Sequence, residues 1–219
     1  MIRTAILVAA KDLRIEVRSR VLLWQVVPFG VMALLLIGLA VGPSATTTRH
    51  VAPGLFYVVL VLVTLLMINR SQAVENSPGT KTSVTMLGLD QAGVFLGKAL
   101  ALLLELAMTS VVLLAGVVLF LHVPLHGALV ASPSALLTIA TMSVAGTLYG
   151  AIASGVDGPA TLLPVLALPA FAPLLIAGER SFASAVSGGA LAKWLLILIL
   201  ALIVYVAIGI ILYGALEES

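Results

Sequence analysis

The chain has 219 residues, of which 62% are hydrophobic and only 9% are charged, with a formal charge of +2 and a mean hydropathy of +1.25. About a quarter of the residues of a soluble domain are charged, so this composition excludes a water-soluble fold and indicates a membrane protein. The absence of cysteine excludes disulfides, thiolate metal sites and cysteine nucleophiles, and the absence of a P-loop pattern excludes nucleotide hydrolysis by that route.

The first twenty residues predict an amphipathic helix. Residues at helical spacing give it an apolar face that consists of Ile6, Ala10, Leu13 and Val17. A second face is basic and carries Lys11, Arg14 and Arg18. Glu16 is predicted to pair with Arg20, four residues later. A basic helix of this kind is expected to lie flat at the membrane interface, and the alternative is an ordinary charged flank of the first span.

Six apolar segments are long enough to cross a bilayer, since a membrane helix needs about 20 residues. They are residues 21–41, 51–68, 94–121, 132–153, 160–177 and 191–214. Residues 122–132 are predicted to form a loop, and residues 178–190 a re-entrant turn. The expected fold is all-α: a single polytopic transmembrane domain with an interfacial N-terminal helix.

Two patterns within the spans predict how these helices pack. In the fourth span, three small residues at intervals of four predict close approach by a neighbouring helix: Gly146, Gly150 and Ser154. The fifth span contains Pro164, Pro169 and Pro173. Prolines predict a kinked or broken helix, which a membrane protein tolerates where the helix packs against protein or a cavity.

Basic residues indicate how the chain is oriented. Six spans place both termini on one side, and that side also holds eight of the eleven Lys and Arg residues: Arg3, Lys11, Arg14, Arg18, Arg20, Arg70, Lys81 and Lys98. The opposite side holds Arg49, Arg180 and Lys193. The positive-inside rule therefore predicts cytoplasmic termini. Scattered basic residues of this kind do not indicate a nucleic-acid partner.

Residues 69–93 form the longest polar interval and would lie on the cytoplasmic side. The interval is too long for a simple turn and too short for a domain. Ser77 and Pro78 are suited to the start of a short helix, and Gly88 to its end. We predict that a separate cytoplasmic protein docks here, on an apolar knob flanked by charges that comprises Glu75, Lys81, Val84, Met86, Leu87 and Asp90. Asp90 also caps the third span. The alternative is a solvated loop.

Three stretches of the chain resemble a known family. They are the start KDLRIEVRSR, the interval from Arg70 through Glu75 and Gly79 to Asp90 and the Gly97–Lys98 pair, and the proline-rich segment LLPVLALPAFAPLLIAG. In these stretches the chain resembles the heme exporter protein B (CcmB) family of bacterial cytochrome c maturation, and it is similar to ABC-2 type exporters in having a coupling helix. The resemblance covers nearly the whole chain.

This resemblance implies a membrane subunit of an ABC transporter in the bacterial inner membrane. ATP would bind to a separate CcmA-like ATPase, two copies of each subunit would form the core, and partners would include a CcmC-like heme-handling membrane protein and a CcmE-like periplasmic heme chaperone. The chain itself would be no enzyme and would hold no resident cofactor, and heme is one candidate for its cargo. The alternatives are an ABC-2 type permease for a lipid, glycan or drug, and a membrane scaffold that transports nothing.

Three charged residues in or near the spans are candidate functional residues. An ionised Glu105 deep in the bilayer would cost roughly 2.5 kcal/mol or more. It is therefore predicted to face the transport path or a subunit interface, and the alternative is a wet carboxylate or a pair with Lys98. If Glu179 and Arg180 form a buried pair, they predict an exit gate. If the pair is exposed, it indicates little about function.

Three histidines and four aromatic residues are candidates for contact with heme. Axial ligation by His50, His122 or His126 is one interpretation, and solvated loop histidines are the other, since Pro124 breaks any continuous helix between the last two. Four aromatic residues at span ends are predicted to be interfacial anchors rather than a wall for a porphyrin: Trp24, Tyr57, Trp194 and Tyr213.

Overall fold

The computed structural model describes residues 1–42, 44–75, 90–155, 162–187, 189 and 191–217, which are helical throughout apart from short connections. The seven α-helices in these ranges are α1 (Ile2–Ser19), α2 (Val27–Val41), α3 (Ala45–Glu75), α4 (Gln91–Phe120), α5 (Leu125–Gly155), α6 (Leu162–Ser187) and α7 (Ala192–Glu217). A π-helical segment, Leu22–Val26, leads directly into α2.

Six segments of these helices are long and apolar enough to cross a membrane. They are Leu22–Val41, Thr46–Ala73, Gln91–Phe120, Leu125–Ala153, Leu162–Ala185 and Ala192–Leu212. The predicted all-α polytopic fold with six spans is therefore confirmed. Since consecutive spans cross in opposite directions, α1, the end of α3 and the start of α4 share one end of the bundle, which we call the inner end.

The fourth span is longer than the sequence predicts, because α5 begins at Leu125 rather than after a loop that ends at Ser132. Pro133 lies inside the helix, where it removes the amide donor for the carbonyl of Leu129. The Ser132 hydroxyl donates a hydrogen bond to that carbonyl instead, at 2.7 Å. The Ser-Pro pair that indicated a helix start is thus accommodated within a continuous helix.

The re-entrant turn predicted for residues 178–190 is wrong over the helical part of that segment, because α6 continues to Ser187. Gly178 is needed for packing and not for a turn. A Cβ on Gly178 would lie 2.8 Å from Cζ of Tyr57 and from Oγ1 of Thr138. The small residues that suggested a turn therefore allow α6 to approach α3 and α5 closely.

The prolines of the fifth span do not break the helix. Pro164 lies in the first turn of α6, where a missing amide donor matters little, and Pro169 and Pro173 lie inside the helix. Both internal prolines are exposed in the single chain, on the face opposite the buried Ala167 and Phe171. Of the predicted kink or break, the break is therefore wrong and the kink stays a prediction. The packing that the prolines were expected to make is not provided by this chain itself.

Close contacts between α3 and α5 confirm the interpretation of two of the small residues in the fourth span. A Cβ on Gly146 would lie 2.5 Å from Cδ1 of Ile68, and one on Gly150 would lie 2.8 Å from Nε2 of Gln72. The side chain of Ser154 lies outside the described residues. α5 also packs against α4, α6 and α7, so it is the central helix of the bundle.

One of the four predicted interfacial anchors belongs to the core. Tyr57 is only 1% exposed and stacks edge to face against Phe56 and Phe182, with ring centroids 5.0 Å and 6.4 Å away. The prediction for Tyr57 is wrong because α3 begins at Ala45, which moves this residue away from the end of its helix. Trp24 is exposed, and its role as an anchor stays a prediction.

Candidate functional site

The candidate site is the inner end of the bundle, where α3 ends at Glu75 and α4 begins at Gln91. The predicted docking residues Lys81, Val84, Met86 and Leu87 lie in residues 76–89, outside the described residues, as do the short helix predicted there and the side chain of Glu75. The described parts are the two ends of this interval and the helix packed beside them. These parts contain the described side chains of the candidate site.

Asp90 occupies the N-cap position of α4, but the side-chain cap that the sequence predicts is not formed. Its carboxylate makes no hydrogen bond to the backbone of α4. Instead, Oδ2 lies 2.8 Å from the amino group of Met1. Asp90 therefore joins the end of the interval to the start of α1, and the first turn of α4 has no side-chain cap from this residue.

α1 packs along the first half of α4 through two glycines. A Cβ on Gly93 would lie 2.8 Å from Cβ of Thr4, and one on Gly97 would lie 2.7 Å from both Cβ of Val8 and the carbonyl oxygen of Ala5. The contact advances by four residues on each helix, so the two helices run side by side in the same direction. Only glycine permits an approach this close.

The other faces of α1 point away from the bundle. Ala5 and Ala9 are buried on the face toward α4, whereas the predicted apolar residues Ile6, Ala10 and Val17 are exposed. The amphipathic helix itself is confirmed. Its position in the plane of the membrane stays a prediction. Because α1 runs beside the first half of α4, a flat position would require that part of α4 to lie at the interface as well.

Glu16 makes a different ion pair from the predicted one. Its Oε2 accepts a hydrogen bond at 2.5 Å from Nη1 of Arg70 on α3, and Nη2 of the same guanidinium donates to the hydroxyl of Ser19 at 2.9 Å. The side chain of Glu16 is only 9% exposed. Arg20 cannot serve as the partner along a helix face because the helix ends there, with Arg20 in the left-handed conformation at φ 54°.

The same carboxylate also fixes the connection between α1 and the first span. Oε1 of Glu16 accepts a hydrogen bond at 2.6 Å from the backbone amide of Leu22, the first residue of the π-helical segment. The amide of Arg20 donates to the carbonyl of Glu16 at 2.9 Å. Hydrogen bonds to a carboxylate are about twice as strong as neutral ones, so Glu16 holds this bend firmly.

Glu105 lies near the pair of Glu16 and Arg70. It is half-buried on α4 and within electrostatic range of Glu16, Arg70 and Asp12. Charged side chains from α1 and α3 thus meet directly, and Glu105, halfway along α4, is close enough to interact with them electrostatically. The predicted role of Glu105 in a transport path or a subunit interface stays a prediction.

The opposite, outer end carries the other candidates. Glu179 and Arg180 form a 3.4 Å ion pair on α6 that is largely exposed, with 64% of the Arg180 side chain accessible. An exposed pair of this kind contributes little to stability. Within this single chain it is not a buried pair, and its role in a transport path or at a subunit interface stays a prediction.

The three histidines are exposed and belong to different elements: His50 to α3, His126 to the first turn of α5, and His122 to the connection before α5, where its φ is 56°. Within the described ranges, no three acidic or histidine side chains are grouped in a way that could hold a metal ion. His122 lies at one edge of a cavity of about 350 Å³ between α2, α3 and α4, whose other lining residues include Leu34, Gly38, Thr48 and Phe120.

A comparison with known families matches the sequence model of the CcmB protein to residues 3–215. The chain belongs to the CcmB family. The match extends from α1 to α7, so the N-terminal helix, the interval after α3 and all six spans fall within the CcmB pattern.

Three curated relatives carry the name heme exporter protein B. The protein from Paracoccus denitrificans is 30% identical over 182 residues, which cover 81% of this chain and 82% of that protein. Those from Rhodobacter capsulatus and Pseudomonas aeruginosa are 28% and 26% identical over 78% and 83% of this chain, and over 78% and 82% of their own lengths. The chain therefore matches these CcmB relatives over most of their length.

Sequence reasoning missed the ion pair that holds together the inner end of this CcmB family member. Helical spacing offers Glu16 a partner only within its own helix, whereas Arg70 is 54 residues away in the chain. One signal was available. Glu16 is one of only two acidic residues in the basic first helix, and the other, Asp12, has Lys11 beside it at 3.0 Å.

Proposed function

We propose that this chain is the membrane subunit of an ABC transporter that serves heme delivery in bacterial cytochrome c maturation. The observation that carries the proposal is the match to the CcmB family over residues 3–215, together with relatives named heme exporter protein B. In this proposal the chain has no catalytic residue of its own. Heme is its cargo, and ATP is hydrolysed on a separate CcmA-like subunit.

The ATPase would dock on the interval between α3 and α4, through Glu75, Lys81, Val84, Met86, Leu87 and Asp90. Apolar side chains flanked by charges suit a groove on a soluble partner, where a small apolar anchor is buried inside a polar rim. The interval leaves one long span and enters the next, so force on it acts on two helices at once. We therefore propose that the docked ATPase moves the helices of the bundle and does not only stay in contact with them.

In this proposal the chain lies in the bacterial inner membrane, as its CcmB membership suggests, and the charge distribution supports cytoplasmic termini. Four exposed basic residues of α1 lie at the inner end of the bundle: Arg3, Lys11, Arg14 and Arg18. Only Arg49, Arg180 and Lys193 lie at the other end. By the positive-inside rule the inner end faces the cytoplasm, where ATP is available to a docked subunit.

A second copy of the chain, a CcmC-like heme-handling protein and a CcmE-like chaperone complete the proposed assembly. The outward face of α6 is the surface we assign to a subunit interface, with Pro169 and Pro173 at its middle and Glu179 and Arg180 at its outer end. Pro164 begins this helix. Protein contact suits this face because prolines free backbone carbonyls that hydrocarbon cannot satisfy. Glu105 is assigned to the transport path or the subunit interface from its position beside the inner-end charges.

Replacement of Leu87 by aspartate tests the docking proposal. A buried charge in an apolar contact carries a large desolvation cost, so we expect the ATPase to co-purify with the Leu87→Asp chain at no more than about a tenth of the wild-type amount. The measurement is affinity purification of the tagged chain, followed by quantification of the ATPase and of ATP turnover.

Thr46→Asp is the matched control, because Thr46 is exposed at the opposite end of α3 and receives the same added charge. It should leave the ATPase bound. Wild-type assembly and turnover in Leu87→Asp would reject docking through this interval. Retained ATPase binding without any effect of the membrane subunit on turnover would favour the non-transporting scaffold.

A further inference from the structure

We infer that Glu16 and Arg70 are positioning residues that connect movement of the docking interval to the first membrane span. The inference rests on the proposed function, since it requires an ATPase that moves this interval. It assigns α1 a mechanical role. The helix would be the link through which one displacement reaches the end of α3, the start of α4 and the bend before the first span.

α1 touches both ends of the interval. Near its start, Thr4 and Val8 pack on Gly93 and Gly97, in the first two turns of α4. Near its end, Glu16 and Ser19 bind Arg70, which lies five residues before the end of α3. A partner that moves residues 76–89 therefore acts on α1 from two points. The glycine contact is apolar and close, whereas the arginine contact is ionic and directional.

The ionic contact leads on to the first span. One carboxylate oxygen of Glu16 binds Arg70, and the other accepts the amide hydrogen of Leu22. If Arg70 shifts with α3, Glu16 must either follow it or release it. If Glu16 follows, the hydrogen bond to Leu22 moves the start of the first span as well. A single side chain thus joins α3 to the first span.

The charges around the pair make its release unfavourable. Glu105 on α4 is within electrostatic range of Glu16, Arg70 and Asp12, and the ammonium group of Lys11 lies 3.0 Å from the Asp12 carboxylate. Withdrawal of Arg70 would remove the cation that Glu16 binds directly and would leave the repulsion between Glu16 and Glu105 uncompensated. A buried ion pair adds little net stability, but it fixes one arrangement over others. That property is what a coupling element needs.

The test uses the full complex of this chain with its ATPase and heme-handling partners. We compare Arg70→Ala, Arg70→Lys and Glu16→Gln, and we measure ATPase binding, ATP turnover and heme transferred to the chaperone per ATP hydrolysed. Arg70→Ala and Glu16→Gln should keep the ATPase bound while heme transferred per ATP falls about fivefold or more, a typical coupling effect. Arg70→Lys retains the charge and should recover a substantial part of the loss.

Arg49→Ala is the control, because Arg49 is exposed near the other end of α3. A second measurement detects the motion itself. The chain contains no cysteine, so a single Trp24→Cys in the exposed π-helical segment can be labelled with a thiol reagent. ATP should change its labelling rate in the wild-type background. The change should be absent in Glu16→Gln, whose side chain keeps its shape and an acceptor for Leu22.

The outcomes separate the inference from the function on which it rests. Normal heme transfer per ATP in both Arg70→Ala and Glu16→Gln would overturn the inference and leave the proposed function standing. So would an ATP-dependent labelling change that survives in Glu16→Gln. A wild-type chain that binds no ATPase would overturn both. If Arg70→Ala does not assemble, Glu16→Gln and Arg70→Lys decide the result.

Discussion

Replacement of Gly97 by leucine is expected to separate α1 from α4. The added Cβ would lie 2.7 Å from the carbonyl oxygen of Ala5 and 2.7 Å from Cβ of Val8. A backbone oxygen cannot avoid this overlap by changing a rotamer, so the helix as a whole has to move. Overpacking in a tight contact costs about 1–3 kcal/mol, and the larger side chain should place this variant at or above the upper end.

Hydrogen exchange of the purified chain in detergent measures the separation of α1 from α4 directly. We expect the α1 amides to exchange at least about tenfold faster in Gly97→Leu, the factor that corresponds to a loss of 1.4 kcal/mol, with little change in α5. Gly54→Leu is the matched control because a Cβ on Gly54 has no atom within 4 Å. Equal exchange of α1 in the two variants would contradict the described contact.

Removal of Arg70 alone is expected to produce the largest loss of stability. Glu16 would keep a buried charge with Glu105 and Asp12 nearby and no cation from α3. Breaking a buried ion pair by removal of one partner costs about 3–5 kcal/mol, whereas replacement of both partners by apolar residues is often nearly neutral. Arg70→Leu should therefore be much less stable than the Glu16→Leu/Arg70→Leu double variant.

Thermal unfolding of the four members of this double-mutant cycle provides the measurement. The coupling free energy between the two substitutions should be large, because each residue matters mainly when the other is present. If the stability losses of the two single variants simply add up to that of the double variant, the pair is not formed in the folded chain. Arg49→Leu serves as the control for removal of an exposed arginine from the same helix, and its effect should stay within about 0.5 kcal/mol.

Hydropathy was sufficient to predict the class of protein and the number of spans. A continuous apolar stretch of about 20 residues has few alternatives to a membrane helix. The ends of helices were predicted less well. Loop signals such as Ser132–Pro133 and Gly178 proved compatible with helix, since a serine hydroxyl bonded the freed carbonyl in one case and close packing required the glycine in the other.

In the candidate site, too, local features of the sequence were predicted better than contacts between helices. The position of Asp90 just before a helix was indicated by the sequence, because cap positions are local, but its carboxylate binds the amino group of Met1 and does not cap α4. The partner of Glu16 was predicted wrongly, because the choice between Arg20 and Arg70 depends on how α1 packs against α4. That docking depends on Gly93 and Gly97, whose absent side chains give no periodic signal of their own.

The outward prolines of α6 make this span sensitive to its solvent. Without amide hydrogens, Pro169 and Pro173 leave the carbonyls of Val165 and Pro169 without their usual donors in the helix. In a chain extracted alone into a small detergent micelle, water can reach those oxygens and form hydrogen bonds with them. In a thick bilayer, the same oxygens would lie in hydrocarbon without water. Heat resistance of the isolated subunit should therefore vary with the choice of detergent far more than that of the assembled complex.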